Sequence, residues 1–279
     1  MKNNSVLSAC FQKGDFSEEW ADPPNVKTEI LSFLNSIYSG DIVREGFVPE
    51  KNVSVDFRGD FWHPDLPSEN RVSKMLAARK RGVRLIIIGE WEWYTKKEIC
   101  QSILSEALDI VEKTVYAQDC VVRRIPADDA RVFLTVNHIH GFVKGDLYLG
   151  LSCRGELVQV IVVGPELRLA TAKNVRVVGG FRELLSHVPD RCFPCVSHVD
   201  LSKFTGDAFF ENGFTLDWTT PPRYDFFKRG VRVGREDVSQ FLGDAFNPEL
   251  SDDDNMARNG FVKIYDCGSL RVSLRSRNG

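Results

Sequence analysis

The sequence predicts a mixed α/β (α+β) protein in two parts, and three observations carry that prediction. Helical and strand periodicities alternate over residues 26–115, a second series of short strands and helices runs over 116–247, and 279 residues exceed one average domain. Residues 1–25 are polar and end in Asp22-Pro23-Pro24-Asn25, an arm or linker that cannot start a helix before its prolines. Residues 26–38 place Ile30, Leu31, Phe33, Leu34 and Ile37 at helical spacing, and Ser39-Gly40-Asp41 stops them. Residues 53–57 alternate, with Val53, Val55 and Phe57 on one face of a half-buried strand. Residues 70–80 read as a short basic amphipathic helix closed by Gly82, 83–88 as a strand buried on both sides, and 96–111 as a further helix.

A domain boundary is expected within 113–124. Beyond it the pattern predicts a helix over 128–136, a hairpin over 148–163 turning at Arg154-Gly155, and a strand over 175–178. That strand runs through Gly179-Gly180 into a helix at 181–188, followed by a strand at 195–199 and a helix at 205–212 ended by Gly213. Residues 248–279 read as a basic C-terminal extension.

Composition excludes several classes. With 43% hydrophobic and 27% charged residues the chain is neither disordered nor collagen-like. The longest apolar run, around 85–88, is far too short to span a bilayer, so no membrane partner is expected. The first twenty residues lack the apolar stretch of a secretory signal, and seven scattered cysteines suit free thiols. Both point to the cytoplasm.

The net charge of −3 does not announce a nucleic-acid partner, but the charges are segregated. Residues 70–88 hold six cations (Arg71, Lys74, Arg79, Lys80, Arg81, Arg84) and no acid. Residues 223–235 set Arg223, Lys228, Arg229, Arg232 and Arg235 against Asp225 alone. Such blocks are either solvated faces or surfaces that neutralise phosphates, and charge alone leaves both open.

The densest set of reactive side chains is Glu29 on a helix, Glu45 before a turn, Asp56 on a strand and His63 in the run 57–63. Phosphodiester hydrolysis needs hard oxygen ligands for a divalent cation and a group that moves a proton, and these residue types supply both. Scattered surface carboxylates around a Phe61-Trp62 core would leave the same pattern. Cys192-Phe193-Pro194-Cys195 is a lone CxxC without the second pair of a structural zinc site. His138 and His140 lack a carboxylate at helical spacing.

The segment VSVDFRGDFWH, the basic helix bearing Lys74, and KRGVRLIIIGEWEW together resemble the nuclease core of bacteriophage homing endonucleases related to the very-short-patch-repair endonuclease. FLTVNHIHGF, VVGGFRELLSHV, FFENGFTLDWTTPPRYDFF and NGFVKIYDCGSLRV follow in the family's order, so the resemblance covers 28–272. It implies a restriction-endonuclease-like domain at 26–115 that hydrolyses double-stranded DNA with Mg²⁺ or Mn²⁺, as a monomer or homodimer in a phage-infected bacterial cell. Glu29, Glu45 and Asp56 would hold the metal, His63 would be the catalytic histidine and Lys74 the helix lysine. Arg58, Arg71, Arg79, Lys80, Arg81, Lys228, Arg229 and Arg232 would contact DNA. The sequence departs from the family at Glu45, where aspartate is usual, at Arg58, where asparagine is usual, and at Arg71, where histidine is frequent.

The order strand, Val177-Val178-Gly179-Gly180, helix, strand, helix over 175–213 resembles the GNAT acetyltransferase fold, which implies a GNAT-like domain at 116–247. In that superfamily a glycine-rich turn at a helix N-terminus holds the pyrophosphate of coenzyme A. Here the turn has two adjacent glycines, and Phe209-Phe210 stand where a catalytic tyrosine is common. A DNA-binding protein without cleavage and a coenzyme A-dependent acyltransferase are the alternatives to the endonuclease.

Overall fold

The computed structural model describes residues 25–43, 46–58, 68–228 and 231–276, with the backbone alone at 68–71. The arm at 1–24 and the site residues Glu45, His63 and Arg229 lie outside the described residues, as does the side chain of Arg71.

Asn25 caps α1 (Val26–Ile37) by accepting from Thr28 N at 3.1 Å, and the helix buries Val26, Ile30 and Leu34. β1 (Phe47–Val48) runs antiparallel to β2 (Val53–Arg58). α2 (Ser68–Lys80) then connects β2 to the parallel strand β3 (Arg84–Gly89). The four apolar residues of β3 divide by parity. Ile86 and Ile88 face a core made with α1 and Trp93, while Leu85 and Ile87 face the second part of the chain. Each such side chain contributes about 1.5–3 kcal/mol on burial.

One helix was expected over 96–111; the chain instead forms α3 (Glu90–Thr95) and α4 (Lys97–Ala107). α3 starts at once after β3 because the Glu92 carboxylate accepts from Gly89 N at 2.7 Å, closing the first turn. α4 stops early because Asp109 takes a left-handed conformation at φ 66°.

The segment expected to hold a boundary forms β4 (Lys113–Tyr116) and β5 (Cys120–Arg124). After α5 (Ala127–Asn137) come β6 (Leu147–Cys153), β7 (Glu156–Val163), β8 (Arg168–Thr171) and β9 (Val175–Val178). The β6–β7 hairpin turns at Arg154 and Gly155, both at positive φ, as the reading of the turn required. α6 (Gly180–Ser186), β10 (Cys195–Asp200), α7 (Asp207–Phe210) and β11 (Thr215–Thr219) follow. The chain closes with β12 (Tyr224–Lys228), β13 (Val231–Val233), α8 (Val238–Leu242), α9 (Asp252–Arg258), β14 (Val262–Tyr265) and β15 (Ser269–Leu274).

Strands β5-β6-β7-β8 form one antiparallel sheet, and β4 pairs in parallel with β9. β10-β15-β11 and β13-β12-β14 form two further sheets. The C-terminal segment over 248–276 is built into two of these sheets. β15 is the central strand between β10 and β11, with Leu270, Val272 and Leu274 buried, and β14 pairs with β12. Met75, Leu85 and Ile87 share one buried cluster with Leu149, Ile161 and Val199, so packing is continuous across residue 115. No helix among the described residues is long and apolar enough to cross a membrane.

Candidate functional site

Because β2 and β3 are parallel, with Asp56 opposite Ile87 and Arg58 opposite Gly89, their carboxyl ends open on one edge. Ligands gather at this edge in parallel sheets, where the chain turns away and side chains project past the last hydrogen bonds. Asp56 lies here. Its Oδ2 accepts from Lys74 Nζ at 2.5 Å and its Oδ1 from Phe57 N at 3.0 Å. Lys74 reaches it from α2 and stays largely exposed.

Glu29 projects from α1 toward α3 and α4. Its Oε2 accepts from Lys97 Nζ at 2.7 Å and from Trp93 Nε1 at 2.9 Å. The bond from Lys97, then that from Trp93, hold its carboxyl below the usual range. Of the five expected catalytic residues the described structure thus brings Asp56 and Lys74 together and gives Glu29 different partners. Among the described residues no three His, Cys, Asp or Glu side chains group closely enough to hold a metal, and Glu45 and His63 lie outside that set.

The expected DNA contacts divide into exposed cations and cations engaged within the fold. Lys80 and Arg81 are exposed at the end of α2, with Arg81 Nε donating to Ala77 O at 3.2 Å. Arg79 is half-buried and donates to Phe204 O at 2.6 Å. Arg232 pairs with Asp225 at 2.5 Å and stacks 4.9 Å from the Trp91 ring centre. Lys228 donates to Asn259 O at 2.6 Å but remains exposed. Arg58 is half-buried, and its charge acts on Glu92, Lys203 and Asp266.

Behind this edge lies an ionic group that sequence patterning does not single out. The Lys203 side chain is fully buried, and Nζ sits 3.0 Å from Glu92 Oε2 while donating to Ile87 O at 2.6 Å and Ser202 Oγ at 2.8 Å. Burial would raise the Glu92 carboxyl, but the charges of Lys203 and Arg58 and the Gly89 N–H outweigh it and bring it down to about 2. Asp200 accepts from Ser202 N at 2.8 Å and Ser202 Oγ at 2.7 Å, and lies 3.2 Å from His140 Nε2. Burial works against its charge too, yet His140 and Lys203 hold it well below the carboxylate range. Burial pushes His138 down, which leaves it neutral at pH 7. Ile87 N also donates to Ser202 O at 2.8 Å, so the open edge of β3 is covered by the 200–203 turn.

A cavity of about 660 Å³ opens beside this group. α4 and Arg84 of β3 wall one side; β8, β9, Gly179-Gly180, β10 and the 204–212 segment wall the other. Cys192 and Cys195 are free thiols, Cys195 Sγ donating to Cys192 O at 3.5 Å.

One signal was present in the sequence: Leu270, Val272 and Leu274 alternate as a buried strand does. No family model, curated protein or solved structure matches the chain.

Proposed function

We propose that the protein is a metal-dependent endonuclease of the homing type that hydrolyses double-stranded DNA. The single observation that carries the reading is the Asp56–Lys74 pair, 2.5 Å apart at the carboxyl edge of the parallel β2–β3 pair. It joins a strand carboxylate to a helix lysine in the arrangement implied by the sequence resemblance.

Glu29 and Asp56 offer the hard oxygen donors that Mg²⁺ takes, with Glu45 as the third carboxylate of the assigned set. A bound divalent ion would polarise the phosphoryl group and ease formation of hydroxide. Lys74 holds the strand carboxylate in place and supplies positive charge where the phosphate develops negative charge. Lys97 and Trp93 fix Glu29 in one rotamer, which removes ordering cost from ligand binding. His63 is the residue assigned to move the proton. Lys80 and Arg81 extend exposed positive charge from Lys74 along the end of α2, a surface for duplex phosphates.

The order β9, Gly179-Gly180, α6, β10, α7 supports an acetyltransferase-like architecture for the second part, here a scaffold joined to the nuclease-like part through Lys203. One observation favours the alternative of DNA binding without cleavage: a lysine already occupies each of Glu29 and Asp56. Assaying His63→Ala beside the wild type separates the two, since the alternative expects cleavage from neither. The endonuclease reading expects cleavage to vanish with duplex binding retained in a gel shift; cleavage at the wild-type rate would remove His63 from the mechanism.

A further inference from the structure

Among the described residues three buried side-chain atoms lack a hydrogen-bond partner: Arg84 Nε, Gln159 Oε1 and His198 Nδ1. All three residues line the same cavity of about 660 Å³. His198 Nδ1 faces the Glu166 carboxylate at 2.9 Å, which gives it a polar neighbour in place of a hydrogen-bond partner. Gln159 has no such substitute. It is 5% exposed, its Nε2 donates to Thr171 Oγ1 at 2.9 Å, and its Oε1 is presented without a donor. A buried acceptor left unsatisfied is costly, and a ligand that donates to it relieves that cost. Gly180 makes room for this carboxamide, because a Cβ there would lie 2.4 Å from Gln159 Oε1.

The surrounding chemistry narrows the ligand. A cavity of this size holds a small organic molecule. Phe181, Phe204 and Phe209 contribute aromatic wall, suited to a flat heteroaromatic ring. Arg84 and Arg182 bring positive charge to it. Arg84 has a guanidinium nitrogen on Glu106 at 2.9 Å and its Nε unpartnered; Arg182 is exposed, with a 3.5 Å contact to Glu211 O.

We infer that this cavity is a binding site for a mononucleotide, whose base donates an N–H to Gln159 Oε1 and whose phosphate faces Arg84 and Arg182. Its walls come from both parts of the chain, so occupancy ties α4 and β3 to β8, β9 and β10. The inference is independent of the endonuclease reading, since none of the cavity's lining residues belongs to the proposed nuclease site.

The test is calorimetric titration of the full-length protein with AMP, and with adenosine, ribose 5-phosphate, inorganic phosphate and coenzyme A as separate arms. AMP is expected to bind saturably, and more tightly than ribose 5-phosphate or inorganic phosphate. Gln159→Leu removes the unsatisfied acceptor and should weaken AMP and adenosine alike, by about fivefold to tenfold. Arg182→Gln, at an exposed position, should weaken AMP and leave adenosine unchanged; it carries the test should Gln159→Leu fail to fold. No heat with AMP at millimolar concentration would overturn the inference, as would equal binding of AMP and inorganic phosphate, or binding of AMP unaffected by both variants. Coenzyme A binding without AMP binding would overturn it too, by placing the affinity in the thiol-bearing arm.

Discussion

Replacing Lys203 by methionine keeps most of the side-chain volume and deletes its charge. The side chain is fully buried, and its loss leaves Glu92 buried with Gly89 N and the half-buried Arg58. Removing one partner of a buried pair costs about 3–5 kcal/mol. At about 2–4 °C per kcal/mol for a chain of this size, melting should fall by roughly 6–20 °C.

The pH dependence makes the test specific. In the wild type the Glu92 carboxyl is depressed from 4.5 to about 2, so it stabilises the fold above its unfolded value, and that stability is lost as pH falls through the folded value. This contribution amounts to about 3 kcal/mol at pH 7. Without Lys203, burial dominates and raises the Glu92 carboxyl, which reverses the sign: protonation of Glu92 on acidification then favours the folded state. Urea unfolding at pH 7 and pH 3 should show Lys203→Met far less stable at pH 7, with the gap narrowing at pH 3. Adding Glu92→Gln to Lys203→Met should recover part of the loss at pH 7. A Lys203→Met protein within about 1 kcal/mol of wild type at both pH values would mean that the Lys203–Glu92 pair does not carry this stability.

Other expectations concern packing, backbone and DNA. Ile86→Ala, at a fully buried position of β3, should cost about 2–5 kcal/mol in denaturant unfolding. Gly268→Ala should destabilise by more than about 2 kcal/mol, because Gly268 has φ 76° and a Cβ would come 2.3 Å from Thr220 O; wild-type melting would contradict the assigned turn. Lys80→Ser and Arg81→Ser should each weaken duplex binding uniformly across sequences and lower the salt slope by about 1, read from affinity between 50 and 200 mM salt. An unchanged slope would take α2 off the DNA surface.

Local chemistry made much of the fold legible. Val53 and Val55 alternate and are buried in β2, the unbroken apolar run at 85–88 is buried on both faces, and Arg154-Gly155 make the expected turn. What escaped was non-local. β15 pairs with β10 and β11 although β12, β13 and β14 intervene in the sequence, and nothing near residue 270 signals which strands it will join, so its arginines read as a basic extension. α3 escaped because Glu90 and Glu92 look like surface residues until Lys203, more than a hundred positions away, neutralises one of them. The candidate site was legible as residue types, whereas the contact between Asp56 and Lys74 is a matter of tertiary packing. That Lys97 and Trp93 would hold Glu29 could not be read from periodicity, since it depends on how α1 packs on α4.

Incubation of the purified protein with phage genomic DNA and Mg²⁺ or Mn²⁺, alongside an EDTA control and a Glu29→Gln, His63→Ala double variant, tests the proposed metal-dependent cleavage. Discrete fragments that need the metal and disappear in the variant are the expected result of metal-dependent cleavage. DNA left intact by the wild type under every metal condition, or fragments that persist in EDTA or in the variant, would contradict it.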